Sequence, residues 1–244
     1  MGTVAFDARV GELLLAYARR VVARGYVHNS LGNIAIRVPH PGFEHGVVYT
    51  KHAEISLEEM TLDNVVVTDV PTPALLHGTV PTSVGHNLNR EILRLRPDVN
   101  AVIHAHHDET ISLFASGLVK ELRPLSLEFP YVMAKPPHVV PSHLDVENDV
   151  GPVGDFIAGT NAVLMENHGV TTLGRDVSEA YHRLNTLASE VRRVILAERL
   201  AAMAGREVHY LGRESVDWMY RYAESVIYPS RDATRRPGGG ERRA

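Results

Sequence analysis

Residues 96–107 read Arg96-Pro97-Asp98-Val99-Asn100-Ala101-Val102-Ile103-His104-Ala105-His106-His107. Pro97 stops whatever helix precedes it, because the residue before a proline is pushed out of the helical region. Ala101–Ala105 is then a short apolar run of strand length, and it ends among histidines. In a strand, side chains two apart share a face, so His104 and His106 can present two imidazoles to one point. Two neutral imidazoles at that spacing suit a divalent transition metal. The same pair also arises among packed or solvated histidines, so a metal site needs a third ligand from elsewhere in the chain.

Downstream, Ala162–Glu166 reads as a second buried strand. The turn Asn167-His168-Gly169 and a strand over Val170–Leu173 follow. His168 therefore stands at a strand end beside a glycine turn, where α/β enzymes place reactive groups. Beyond it, residues 176–204 predict a long helix capped by Asp176 or Ser178. Val177, Ala180, Tyr181, Leu184, Leu187, Val191, Val194 and Ile195 form its apolar face. A last helix is expected over 214–226, and the Arg-, Gly- and Pro-rich residues 229–244 as a disordered tail.

Upstream, 7–24 is an amphipathic helix with Gly25 at its C′ position. Asn33–Val38, Val47–Thr50 and Asn64–Thr68 are β-like runs, and Ser56 opens a short helix or turn. Pro71 and Pro73 mark a loop, and a helix is expected from Ser83 to Arg94. Asp108 is expected to cap a helix ending at Ser116. Helices at both ends with strands between them predict one α/β domain over 1–228, a sheet covered by helices.

Composition narrows the function classes. The chain has 244 residues, 44% hydrophobic and 22% charged, with a formal charge of −4, so no long-range field draws it to nucleic acid or an anionic membrane. It contains no cysteine, which removes disulfides, thiolate metal sites and a cysteine nucleophile. Asp7, Arg9 and Glu12 interrupt any signal-like apolar run, and no stretch is long enough to span a membrane. A cytoplasmic protein is the expectation. There are fourteen histidines, and their spacing rather than their number is what carries meaning.

The segment 96–107, Met165-Glu166-Asn167-His168-Gly169 some sixty residues later, and the upstream Ser30-Leu31-Gly32-Asn33-Ile34-Ala35-Ile36-Arg37 resemble three motifs of the class II aldolase/adducin family, in the same order. The resemblance spans about residues 10–204. It implies a three-layer α/β fold, with a central mixed, mostly antiparallel sheet covered by helices on both sides. It also implies a homotetramer with active sites at subunit interfaces. One divalent metal ion would be held by His104, His106 and His168, with zinc the first choice and iron, manganese or cobalt as alternatives. An open coordination position would face a small hydroxy-carbonyl or keto-acid substrate.

The chain departs from that family in two places. A glutamate that serves the family as acid/base is replaced: Val84 or Gly85 takes its position in Pro81-Thr82-Ser83-Val84-Gly85-His86-Asn87, depending on alignment. His86 stands next to it as a candidate base, or else caps or packs the helix. The anion-binding turn reads Tyr49-Thr50-Lys51-His52-Ala53-Glu54, with a lysine and a histidine where small hydroxyl residues and glycine are expected. Candidate substrate or anion contacts are therefore Gly32, Asn33, Lys51 and Ser83, and Tyr131 is a candidate acid donated by a neighbouring subunit. The chemistry implied is carbon–carbon bond cleavage through a metal-stabilised enolate. A decarboxylase or non-haem iron oxygenase on an aromatic or keto acid is the alternative. A non-catalytic module of the adducin type is the third reading.

Overall fold

The computed structural model describes residues 4–227. The elements along the chain are α1 (Ala8–Ala23), β1 (Asn33–His40), β2 (Phe43–Lys51), β3 (Val65–Asp69), β4 (Leu75–His77), α2 (His86–Leu95), β5 (Ala101–Ala105) and α3 (Asp108–Ala115). They continue with α4 (Glu128–Met133), β6 (His138–Val140), α5 (Val153–Phe156), β7 (Ala162–Met165), β8 (Gly169–Gly174), α6 (Val177–Ala204) and α7 (Arg213–Tyr222). The strands form one eight-stranded sheet in the order β4-β3-β2-β1-β5-β8-β7-β6. All neighbours pair antiparallel except β6 with β7. The expected mixed, mostly antiparallel sheet is what the chain forms.

Strand alternation sends side chains to two apolar layers. On one face Ile34, Ile36, Val47, Tyr49, Ala101 and Ile103 pack with Leu14, Ala18 and Val21 of α1 and Leu184, Leu187 and Val191 of α6. On the other, Ala35, Val48 and Val102 pack with Leu88, Ile92 and Leu93 of α2. Each of these Leu and Ile side chains is almost fully buried, contributing about 1.5–3 kcal/mol. Helices therefore cover both faces, and His104, one residue beyond Ile103, falls on the α2 face.

The polar residues before β5 serve as staples. The Arg37 guanidinium donates to the carbonyls of Leu93, Arg96, Pro97 and Val99, collecting the free carbonyls at the end of α2. Arg96 pairs with Asp98 at 2.7 Å and donates to the carbonyls of Ile157 and Thr160. The Arg-Pro-Asp run thus fixes where β5 enters the sheet.

Several expected boundaries move. The helix expected from Ser83 starts at His86, because Ser83 and Val84 turn first, their carbonyls taking the amides of His86 and Asn87. Asp108 is the first residue of α3 rather than its cap; His107 holds the cap position and makes no side-chain capping bond. Asp176, not Ser178, caps α6, accepting from the Glu179 amide at 2.8 Å. Ser56 opens a turn, accepting from the Glu59 amide at 3.2 Å. The tail expected over 229–244 lies outside the described residues.

Candidate metal centre

His104 lies on β5 directly opposite Thr171 of β8, and its Nδ1 is 3.0 Å from the Thr171 hydroxyl. That contact turns Nε2 out of the sheet on the α2 side. Nε2 is buried and has no hydrogen-bond partner. His106 is not on the strand, which ends at Ala105; it follows the last β residue as the chain leaves the sheet. His168 sits in the three-residue turn between β7 and β8, where Met165 pairs with Gly169. Asn167 takes the left-handed conformation the turn requires, with φ 58°, a state asparagine tolerates better than most residues. Gly169 is required by proximity: a Cβ there would stand 2.5 Å from the Ala105 carbonyl oxygen. The Asn-His-Gly turn thus presses β8 against the end of β5 and brings His168 to the other two rings.

The three rings surround one point. Their centroids are 4.9 Å (His104–His106), 5.2 Å (His104–His168) and 4.9 Å (His106–His168) apart, with interplanar angles of 72–83°. One nitrogen from each lies within 4.8 Å of the others. Burial, with mutual repulsion added, holds His104 well below the ordinary imidazole range and His106 down to about 4. Burial also lowers His168, against the opposing charge of Asp145. The set is therefore neutral at pH 7, as metal ligands must be. His107 points elsewhere: its ring contacts Thr110 and Glu109 and packs edge-on against Tyr26.

A fourth group faces the triad. Glu147, in the turn after β6, places Oε1 3.6 Å from His104 Nε2 and Oε2 3.7 Å from His168 Nε2. Its side chain is 14% exposed. Burial, then the nearby Asp145 charge, pushes it up to about 7. With both imidazoles neutral, these contacts are not ion pairs; they are polar atoms converging on a shared space. Glu147 escaped the reading of the sequence. The available signal was indirect: with Val84 or Gly85 in place of an acid, any carboxylate at the site had to come from another segment.

The remaining candidates are placed as follows. Gly32 and Asn33 adjoin the triad, Asn33 pairing across from His104, and the Asn33 amide oxygen accepts from Asn89 of α2. Ser83 is part of the turn that opens α2. His86 is 1% exposed and bonded to the Thr68 hydroxyl at 2.9 Å, so its ring is closed off from any substrate; burial, with Arg90 adding, brings it down to about 3. The expectation of a base at His86 gives way to packing. Lys51 shares the face of Val47 and Tyr49, opposite to that of His104. Its ammonium donates to the carbonyls of Ser30 and Ile55, at 2.8 and 2.7 Å, so its charge is already engaged. Tyr131 is 42% exposed on α4, whose Phe129 and Met133 pack on the α1/α6 face.

Residues 12–193 match the family described as Class II Aldolase and Adducin N-terminal domain. The chain belongs to that family. An L-fuculose phosphate aldolase of Methanocaldococcus jannaschii is 27% identical over 192 residues, covering 73% of this chain and 91% of that protein. A 3,4-dihydroxyphthalate decarboxylase of Arthrobacter keyseri is 28% identical over 181 residues, covering 68% and 70%. The solved L-fuculose 1-phosphate aldolase of Glaciozyma antarctica superposes with a TM-score of 0.71 at 18% identity, covering 91% of this chain and 85% of that one, a likeness of fold. Family and relatives together make this class II aldolase-family protein an aldolase-like lyase. Among the described residues no helix is long and apolar enough to cross a membrane.

Proposed function

We propose that this family member is a divalent-metal-dependent carbon–carbon lyase of the aldolase type, acting on a small hydroxy-carbonyl substrate. The observation that carries the reading is the convergence of His104, His106 and His168, with ligand nitrogens within 4.8 Å of one another. The donor set fits a cation. With Nδ1 engaged by the Thr171 hydroxyl, His104 offers an Nε2 that is buried and unpartnered, ready to ligate in the tautomer that carries its proton on Nδ1. Leaving a buried polar atom without a partner costs about 1–3 kcal/mol, which a metal ion relieves. Three neutral nitrogens suit zinc first, and iron, manganese or cobalt as well.

Held by His104, His106 and His168, such an ion would supply a Lewis acid to polarise a substrate carbonyl. The chain's own residues do the rest. The sheet fixes His104 through Thr171, and the β7–β8 turn fixes His168, so the ligand geometry is set before substrate arrives. Gly32 and Asn33, beside His104, line the approach for the substrate's polar groups, with Ser83 at the opening turn of α2. In the cleavage, a substrate hydroxyl loses its proton and its oxygen becomes the carbonyl of one product. The electron pair of the broken C–C bond passes to the carbon next to the other carbonyl, where a proton is returned.

A decarboxylase is the second reading. It is favoured by the engagement of Lys51 with backbone carbonyls, which withdraws that cation from a phosphate-holding role, and by the similarity to a dihydroxyphthalate decarboxylase. The assembly we propose is a homotetramer with interfacial sites, where Tyr131 of a neighbouring copy meets the substrate. Elemental analysis of protein purified without added metal, followed by assays of hydroxy-carbonyl compounds and keto acids with oxygen uptake monitored, tests the reading. Metal at one per chain with cleavage and no oxygen uptake is expected. His106→Ala should lose both metal and turnover, and turnover by metal-free protein would overturn the proposal.

A further inference from the structure

Glu147 sits in an exposed turn, yet its carboxylate is withdrawn from water. The flanking Asp145, Asn148 and Asp149 are exposed. Glu147 Oε1 is buried and has no hydrogen-bond partner, and the atom it faces, His104 Nε2, is in the same condition. Two orphaned polar atoms 3.6 Å apart mark a space that a ligand completes.

The seat of this carboxylate is built. Asp145 accepts from the amides of Glu147 and Asn148, both at 3.2 Å. Asn87, in the first turn of α2, donates its side-chain amide to the Glu147 carbonyl at 3.3 Å. Val146 anchors the turn in the apolar layer beneath α2. Gly85 supplies the room. Its backbone, at φ −57° and ψ −17°, is open to any residue. A Cβ there would stand 2.6 Å from Glu147 Oε1 and 3.0 Å from the Asn33 amide nitrogen. Gly85 thus leaves the carboxylate its present place, and a Cβ there would displace it.

We propose that Glu147 is the catalytic carboxylate of the metal centre, reaching the open face of the three imidazoles through the gap left by Gly85 and contacting the substrate there. The proposal rests on the metal-dependent lyase reading above. In the cleavage, Glu147 takes the substrate's hydroxyl proton as the C–C bond breaks toward the carbonyl-stabilised carbon. It then returns that proton to the same carbon, so atoms and electrons balance with no further reactant.

The test compares full-length wild type with Glu147→Gln, which keeps the shape, and Gly85→Ala, which keeps the carboxylate but displaces it. Each is loaded with cobalt(II) as the probe, and metal content and visible absorption are recorded. All three are expected to bind one cobalt per chain, with the cobalt bands of both variants shifted from wild type. On any substrate the wild type cleaves, Glu147→Gln should lower kcat by about 100-fold or more with KM changed only a few-fold. Identical spectra in the three proteins, or a Glu147→Gln protein with wild-type kcat, overturns the role of Glu147. Failure of the wild type to bind cobalt overturns the metal reading beneath it instead. Where no substrate is in hand, identical spectra still overturn the placement of Glu147 beside the ion, and the catalytic role is decided by kcat.

Discussion

At the scale of single residues, the site depends on side chains that hold other side chains. Thr171 contacts the His104 ring nitrogen that faces away from the other two imidazoles, and from the neighbouring strand it holds the tilt of that ring. Thr171→Val keeps the volume and removes the hydroxyl. Metal affinity is expected to fall about 10- to 100-fold, measured by competition with a chelator, while the fold persists. His86 makes a different kind of prediction. Its folded value of about 3 lies below the ordinary 6.5, because burial opposes its charge. The unfolded chain therefore takes up the proton first as pH falls below 6.5, and stability drops through the window from 6.5 toward 3. The slope attributable to this one group is about 1.4 kcal/mol per pH unit. Denaturant titrations at pH 7 and 5 should show a smaller acid loss in His86→Gln than in wild type, whatever the variant's stability at pH 7.

Among the elements, the β7–β8 hairpin does most to assemble the centre. Gly169→Ala would put a methyl group 2.5 Å from the Ala105 oxygen, so the hairpin must back away from β5. A loss of about 1–3 kcal/mol in stability is expected, together with weakened metal binding, because His168 moves with the turn. Thermal melts with and without added metal check both effects. This hairpin was legible in the sequence: two apolar runs flanked Asn-His-Gly, and the residue types name the turn. β5 was legible for the same reason, and α6 because its apolar positions recur over about five turns. β4 and β6 were not, since three-residue edge strands carry no period to read. α4 was hidden by Pro130 within it. Residue type alone was a poor guide at the site. His86 and Lys51 have the residue types of chemistry, but within the folded chain one is buried against Thr68 and the other donates to two backbone carbonyls, contacts that a local pattern does not announce. Glu147 reaches the histidines across a long stretch of chain by way of a turn, and local pattern says nothing about such a contact.

For the whole molecule, the centre joins strands in the middle of the sheet to a turn packed beneath α2, so an ion that binds it should stabilise the folded state as a unit. Chelation is expected to lower Tm by several degrees, since a ligand at 100 times its Kd adds about 2.7 kcal/mol. His106→Ala should melt at one temperature with or without chelator. The proposed tetramer makes a separate prediction: light scattering should give four chains per particle. Tyr131→Phe should leave that mass and the metal content unchanged while lowering turnover.

The order of the central strands also bears on how the site comes into being. β5 and β8 lie side by side in the sheet, but the second and third imidazoles are separated by about sixty residues of intervening chain. Closing so wide a loop carries an entropic cost that only the packed sheet offsets. On the proposed metal reading, a nascent chain emerging from the ribosome would hold two of the three imidazoles long before the last is synthesised, and the ion would be expected to enter a finished scaffold and not to template it. Refolding rates should accordingly be the same with and without metal, unlike those of small domains that coalesce around zinc.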